Sequence, residues 1–330
     1  MLPSAYPSPT PRTHDTGGVF MPLIPVLLLL FAVILVNGWT DAPNAIATAV
    51  AAEALSFPAA VSLAALCNLL GVVCTLNISD AVARTLWSMA DFGSHSLTAL
   101  SAALAATVLW AVFAWRFGVP TSESHALISG LAGAALGLGA ERLRLGAILW
   151  VLFGLILSLV LGFTLGRLFR RLLPEKGTGF YRRSQVVGAA LTAFFHGAQD
   201  GQKFLGVLAL IFALDSHSFA LPPWAGWVCA AVMALGTLLG GRRIIDTVGR
   251  KMVLLTPHSG FAADLGCAGA LLLCTLWGLP VSTTHAKAAA ILGAGADPNK
   301  RVAGSLGAAW LLTFPACGFL AFFLVKCLLV

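Results

Sequence analysis

The sequence predicts an all-α polytopic membrane protein made of two homologous halves. Three observations carry this reading: composition, a series of apolar runs, and a set of motifs that occurs twice. Of 330 residues, 58% are hydrophobic and only 10% are charged, against about 25% charged in a soluble domain. So little polar surface cannot cover a soluble globule of this size. The apolar runs reach roughly 18 residues or more, enough to cross hydrocarbon as helices. Lipid offers no partner to open backbone groups, so helices are the expected spanning form. The alternating segments of about ten residues that mark a β-barrel do not occur.

Along the chain, residues 1–20 are rich in Pro, Ser and Thr and read as a disordered tail. No small-residue cleavage site separates this tail from the first apolar run, which argues against a signal peptide. Long apolar segments follow near 22–36, 56–77, 97–115, 145–168, 185–195, 204–214, 224–239, 262–278 and 302–329. Shorter stretches rich in small residues lie near 42–52, 124–140 and 284–296. Together they predict about ten to twelve spanning or half-spanning helices. The most basic stretch runs from Arg167 to Arg183 through Arg170, Arg171, Lys176 and Arg182, and it is expected in the cytoplasm. Arg242, Arg243, Arg250 and Lys251 form a second basic cluster. The net charge of +7 thus follows the positive-inside pattern, and no nucleic-acid partner is expected. The seven cysteines lie in apolar surroundings without a close CxxC pair and read as small buried hydrophobes.

The repeat is the strongest internal signal. NGWTDAPNA from Asn37 matches HGAQDGQKF from His196, with Asp41 over Asp200. GVPTSESHA from Gly118 matches GLPVSTTHA from Gly278, with Ser122 over Ser282 and His125 over His285. Between them, Asp80 and Arg84 match Asp246 and Arg250, read as structural charge pairs or gate elements. The halves are 21–168 and 185–330, joined by a basic cytoplasmic linker at 169–184. Duplication of this kind is a signature of secondary transporters.

Each motif carries chemistry. Asn37, Thr40, Asp41 and Asn44 interrupt an apolar stretch beside Gly38 and Pro43, which break a helix. A carboxylate at such a break marks an ion or substrate path. The second half is expected to break likewise around Gln199, Asp200 and Lys203. Thr121, Ser122, Glu123, Ser124 and His125, and again Ser282, Thr283, Thr284 and His285, each precede a helix of small residues. Hydroxyls and free amides at a helix N-terminus make an anion site. Asn37, Thr40, Asp41, Asn44, Asp200 and Glu123 are assigned to the coupling cation. Thr121, Ser122, Ser124, Ser282, Thr283, Thr284, Gln199 and Lys203 are assigned to the anion. A carboxylate facing the anion accepts a bond from a protonated phosphate oxygen, which sulfate lacks at neutral pH. His125, His196 and His285 are candidate proton carriers. His14, His95 and His217 lie in polar stretches and read as solvated.

These motifs resemble those of the PiT family of inorganic phosphate transporters. NGWTDAPNAIATAV and HGAQDGQKFLGV are similar to its two signatures, and PTSESHALISG and PVSTTHAKAAAILG to the companion motifs. The resemblance covers nearly the whole chain after residue 20. It implies inverted-topology repeats with paired broken helices, a central phosphate site, alternating access, uptake driven by sodium or protons, and a homodimer in the bilayer of a bacterial inner or plasma membrane. It implies no enzyme activity, no cofactor and no metal beyond a sodium ion. Many members carry Asn-Asp in each signature. Here the pairs are Thr40-Asp41 and Gln199-Asp200, and Lys203 stands where the first half has Asn44. A fixed ammonium can substitute for a bound cation, which favours the proton. Rival readings are a permease for sulfate or another oxyanion, an anion channel, and an intramembrane hydrolase using Ser122, His125 and Asp41. Duplication argues against the hydrolase, since catalysis needs one nucleophile and one base.

Overall fold

The computed structural model describes residues 23–329, apart from 77, 93–94, 118–120 and 213–220. The predicted tail 1–20, His14, His217 and the motif residues Gly118 and Pro120 lie outside the described residues. Among the described residues the regular elements are helices, and the β contacts are two isolated bridges, Ala90–Leu143 and Leu254–Ala296. The first half contributes α1 (Leu23–Thr40), α2 (Pro43–Ala51), α3 (Phe57–Leu76), α4 (Ala81–Trp87), α5 (Ser96–Arg116), α6 (Glu123–Leu138) and α7 (Leu145–Leu172). The second contributes α8 (Thr178–Phe212), α9 (Ala225–Leu239), α10 (Arg242–Ile245) with a π-helical turn over Asp246–Lys251, α11 (Pro257–Leu276), α12 (Thr283–Ala294) and α13 (Lys300–Leu328).

Among the described residues, six segments are long and apolar enough to cross a membrane: Leu23–Ala51, Phe57–Thr75, Ser96–Arg116, Leu145–Leu172, Pro257–Leu276 and Lys300–Leu328. The 35-residue α8 is also long enough, at about 1.5 Å per residue. By contrast α6 has 16 residues and α12 has 12. They reach only about 24 and 18 Å, short of a hydrocarbon core of about 30 Å. They are half-helices that start inside the protein. Leu149, Phe153, Ile156, Leu311, Phe319 and Phe323 are exposed on the outer faces of α7 and α13, where lipid is their natural solvent.

The halves interlock. Half-helix α6 packs on α13 of the other half, and α12 packs on α7. Likewise α3 packs on α8, and α9 on α1. Close approach needs small residues. Gly133 faces the backbone of Gly318, and Gly162 and Gly166 face the backbones of Ala286 and Ala290.

These contacts set direction. Along α7, Gly154, Gly162 and Gly166 meet Pro280, Ala286 and Ala290 in turn, so α7 and α12 run the same way. Their ends are tied by Arg170 Nη1, which donates to Ala294 O at 2.6 Å. Helix α13 starts on that side at Lys300 and runs back beside α6, with Gly318 at Gly133 and Val325 at Gly137. The two half-helices therefore leave their N-termini toward opposite faces. The face holding Arg167, Arg170, Arg171, Lys300 and Arg301 is called the basic face below.

Two sequence expectations meet different geometry. The stretch 169–184 is mostly the end of α7 and the start of α8, leaving 173–177 as the connection. The expected break in the second signature does not occur: Asp200 and Lys203 lie mid-way along the continuous α8. The first signature has Pro43, which takes no part as a donor and starts α2. The second has Gln202 at the matching position and no proline. Its glycines serve packing instead, Gly197 against the Asn68 backbone and Gly201 against Val72.

Candidate functional site

Every sequence-predicted site residue is buried. Helix α1 ends at Thr40, whose Oγ1 donates to Val36 O at 2.8 Å and also bonds Glu123 Oε1. The turn at Asp41 and Ala42 then carries the Asp41 carboxylate toward α12. Thr284 Oγ1 donates to its Oδ1, Thr283 Oγ1 to its Oδ2 at 3.2 Å, and Asn44 Nδ2 to Oδ1 at 2.8 Å.

Asp200 approaches the same place from α8. Lys203 Nζ lies 2.5 Å from its Oδ1, while Asn37 Nδ2 donates to Oδ2 at 3.0 Å. His196 Nε2 is 3.4 Å from Oδ2, and the other nitrogen of His196 is 3.0 Å from Asn68 Oδ1. Thr283 Oγ1 reaches Asp200 Oδ2 at 3.5 Å, so one hydroxyl sits between both carboxylates.

The half-helices complete the site. Ser122 and Ser282 are their N-caps, accepting from the amides of His125 and His285 at 3.3 and 3.2 Å. Capping uses one lone-pair direction of each hydroxyl. The two caps also bond each other, Ser122 Oγ donating to Ser282 Oγ at 2.7 Å. Two helix N-termini thus meet head to head, with their first amides and partial positive charge directed at one point. Lys203 Nζ ties α8 to both, donating to Ser124 Oγ at 2.6 Å and to Val281 O at 2.5 Å.

Not all candidates share that point. Gln199 spends its amide on Thr275 Oγ1 at 3.1 Å and Leu279 O at 3.2 Å, bracing the α11–α12 connection. Thr121 offers its carbonyl to Thr284 Oγ1 at 3.4 Å. His125 and His285 stack edge to face at 4.4 Å, and His125 Nδ1 lies 3.4 Å from Trp310 O, behind the caps. His196 alone of the three contacts a carboxylate of the site.

The chemistry of this set is twofold. Hydroxyls, helix amides and an ammonium suit an oxyanion. Asp41, His196 and Asp200 offer ligand atoms within 4.8 Å of one another, and Asn37 Oδ1 and Asn44 Oδ1 have no donor. Those oxygens suit a cation or a proton. The Asp80–Arg84 and Asp246–Arg250 pairs, at 2.7 and 3.2 Å, are matched i,i+4 pairs on exposed side chains.

Sequence reasoning missed a second buried polar cluster: Asp264, Lys287, Thr48 and Gln185. Asp264 and Lys287 form a direct ion pair, and Thr48 Oγ1 donates to Asp264 Oδ1 at 2.5 Å. The signal was present, since an ionisable residue inside an apolar span is a functional marker.

Fold and site together define a helical membrane transporter for an anion. The chain belongs to the PHO4 phosphate transporter family, whose model matches residues 37–176 and 170–321. It is 33% identical over 321 residues to a Bacillus subtilis (strain 168) protein named "Probable low-affinity inorganic phosphate transporter". That match covers 91% of this chain and 96% of the relative. A Rhizobium meliloti (strain 1021) protein of the same name is 36% identical over 323 residues, covering 90% and 95%. A solved structure named "The sodium-dependent phosphate transporter" superposes with a TM-score of 0.85 over 94% of this chain and 99% of that one. At 22% identity it establishes the shared fold.

Proposed function

We propose that this chain is a proton-driven symporter of inorganic phosphate in the cell membrane, working by alternating access between inverted repeats. The observation that carries this reading is the head-to-head meeting of the α6 and α12 caps, 2.7 Å apart, over Asp41, Asp200 and Lys203. Phosphate would accept from Ser122, Ser124, Ser282, Thr283 and Thr284, from the first amides of both half-helices, and from Lys203. Asp41 and Asp200 would accept its P–OH groups, which sulfate cannot offer.

The opposite directions of α6 and α12 support the inverted repeat. They also give alternating access a geometry, because each half-helix faces one side of the membrane. The basic residues at the end of α7 and the start of α13 support placing that face in the cytoplasm. The proton is preferred because Lys203 already sits as an internal cation on Asp200. A second reading, sodium coupling, is favoured by the oxygen-rich set around Asp41 and by the structural relative, which is named as sodium-dependent.

Radiolabelled phosphate uptake into proteoliposomes, with pH and sodium gradients imposed separately, tests both. An inward proton gradient is expected to drive uptake without sodium, and excess sulfate is expected not to compete. Sodium-dependent uptake blind to pH would replace the proton by sodium. Sulfate uptake as fast as that of phosphate would refute the substrate.

A further inference from the structure

We propose that Asp264, held by Lys287, Thr48 and Gln185, is the station where the coupled proton rests between the phosphate site and the basic face. The inference rests on the proton reading above, and four observations carry it.

The first is position. On α12, Lys287 lies past Thr283 and Thr284 toward the basic face, and on α2, Thr48 lies past Asn44 in the same sense. Four residues of helix are about 6 Å. The cluster is therefore the next polar group on that side of the central site.

The second is asymmetry. The repeat offsets of 159 and 160 pair Gln185 with Val26, Thr48 with Val207, Asp264 with Leu104 and Lys287 with Leu127. All four partners are at most 1% exposed and belong to one apolar core. The same scaffold thus packs with aliphatic side chains on the opposite side. The fold does not require a buried ion pair here, and burying one is costly.

The third is an imbalance of hydrogen-bonding groups. Lys287 Nζ is satisfied by Asp264 Oδ1, Thr48 Oγ1 at 3.2 Å and Ala45 O at 3.3 Å. Gln185 Nε2 donates to Thr48 O at 3.4 Å. Asp264 Oδ2 and Gln185 Oε1 are buried with no donor. Two surplus acceptors call for a proton, or for water carrying one.

The fourth is the electrostatic surround. Around Asp264, α12 turns Lys287 inward, α2 turns Thr48, and α8 turns Gln185 and Thr192, with Cys267 one turn on along α11. Farther toward the basic face lie Tyr181 and His258, with rings 4.7 Å apart. The step balances simply. Hydronium leaving the central site gives its proton to Asp264 Oδ2 and becomes water. Asp264 becomes a neutral acid, Lys287 stays an ammonium, and the proton later leaves to water at the basic face.

Two assays on the full chain in proteoliposomes test this. One is net phosphate uptake driven by an imposed pH gradient. The other is exchange of labelled for unlabelled phosphate at equal concentrations and equal pH, which needs no net proton movement. Asp264→Asn is expected to keep exchange within about two-fold and to lower net uptake at least ten-fold, with the pH dependence of net uptake flattened. If both activities stay at wild-type level, or both vanish in a folded protein, the proposal is overturned. Should Asp264→Asn fail to fold, the set Gln185→Val, Thr48→Val, Asp264→Leu and Lys287→Leu installs the aliphatic residues that already pack in the other half. The same split between exchange and net uptake is expected of it, and wild-type net uptake would equally overturn the idea. The wild-type arm reads the coupling ion alone: indifference to pH there defeats the proton reading itself, before any variant is compared.

Discussion

Lys203→Asn converts the second signature to the residue that the first half carries at Asn44, and its effect can be worked from the geometry. The ammonium lies 2.5 Å from Asp200 Oδ1 and 2.6 Å from Ser124 Oγ. A sodium ion on the far oxygen of Asp200 would sit about 4 Å from Nζ. At an effective dielectric near 20 the repulsion is about 4 kcal/mol, roughly a thousand-fold in occupancy. Removing the ammonium removes that penalty. It also removes a charge-assisted bond to phosphate, about 1.5–3 kcal/mol or roughly 10- to 150-fold in affinity. It leaves Asp200 supported by Asn37, His196 and Thr283. The assay is isothermal titration of phosphate into the purified variant with and without sodium, followed by uptake in proteoliposomes. Weaker phosphate binding that sodium partly restores is the expected outcome. Unchanged affinity and continued indifference to sodium would refute the reasoning and place the ammonium outside the ion path. Thermal unfolding of the variant separates these effects from loss of the fold.

Asp41→Asn and Asp200→Asn are each expected to abolish coupled uptake in a folded protein, because both carboxylates flank the Thr283 hydroxyl between the half-helix starts; wild-type rates of labelled uptake would sink the assignment. Ser122→Ala and Ser282→Ala each remove one neutral hydrogen bond, about 0.5–1.5 kcal/mol, so the half-saturation concentration for phosphate should rise about 2- to 13-fold. If only yield falls, the serines are caps and nothing more. Arg250→Gln breaks an exposed i,i+4 pair and should change stability by less than about 1 kcal/mol, as read from a thermal melt. A cysteine placed at Glu175, in the connection between α7 and α8, should react with an impermeant reagent only from the cytoplasmic side; labelling from outside would reverse the orientation.

Much of the candidate site was legible because its motifs occur twice. Asp41 and Asp200, and Ser122 and Ser282, stand at matched positions, and the structure brings both pairs together. Lys203 was legible as the residue that breaks the match with Asn44. Asp264 and Lys287 stood outside that logic, since their partners in the other half are Leu104 and Leu127. A search for repeated residues passes over what only one half contains. The same bias produced the expected break at Asp200, where α8 runs straight through because Gln202 replaces Pro43.

Composition and periodicity alone determined a helical membrane protein, since lipid admits only helices or closed barrels and the alternating segments of a barrel do not occur. The order of the motifs alone pointed to a duplication and named the candidate site residues within it. Local sequence could not say that α6 packs on α13 and α12 on α7. Nor could it say that two serines 160 positions apart bond each other. Those contacts depend on glycines of one half meeting backbone of the other, as Gly133 meets Gly318. Such an approach is chosen by the whole packing rather than by either segment. The tertiary structure also decided where each charge is held. Lys203 rests on Asp200 and Lys287 on Asp264, because a buried ammonium must find a carboxylate within reach and only the folded chain supplies one.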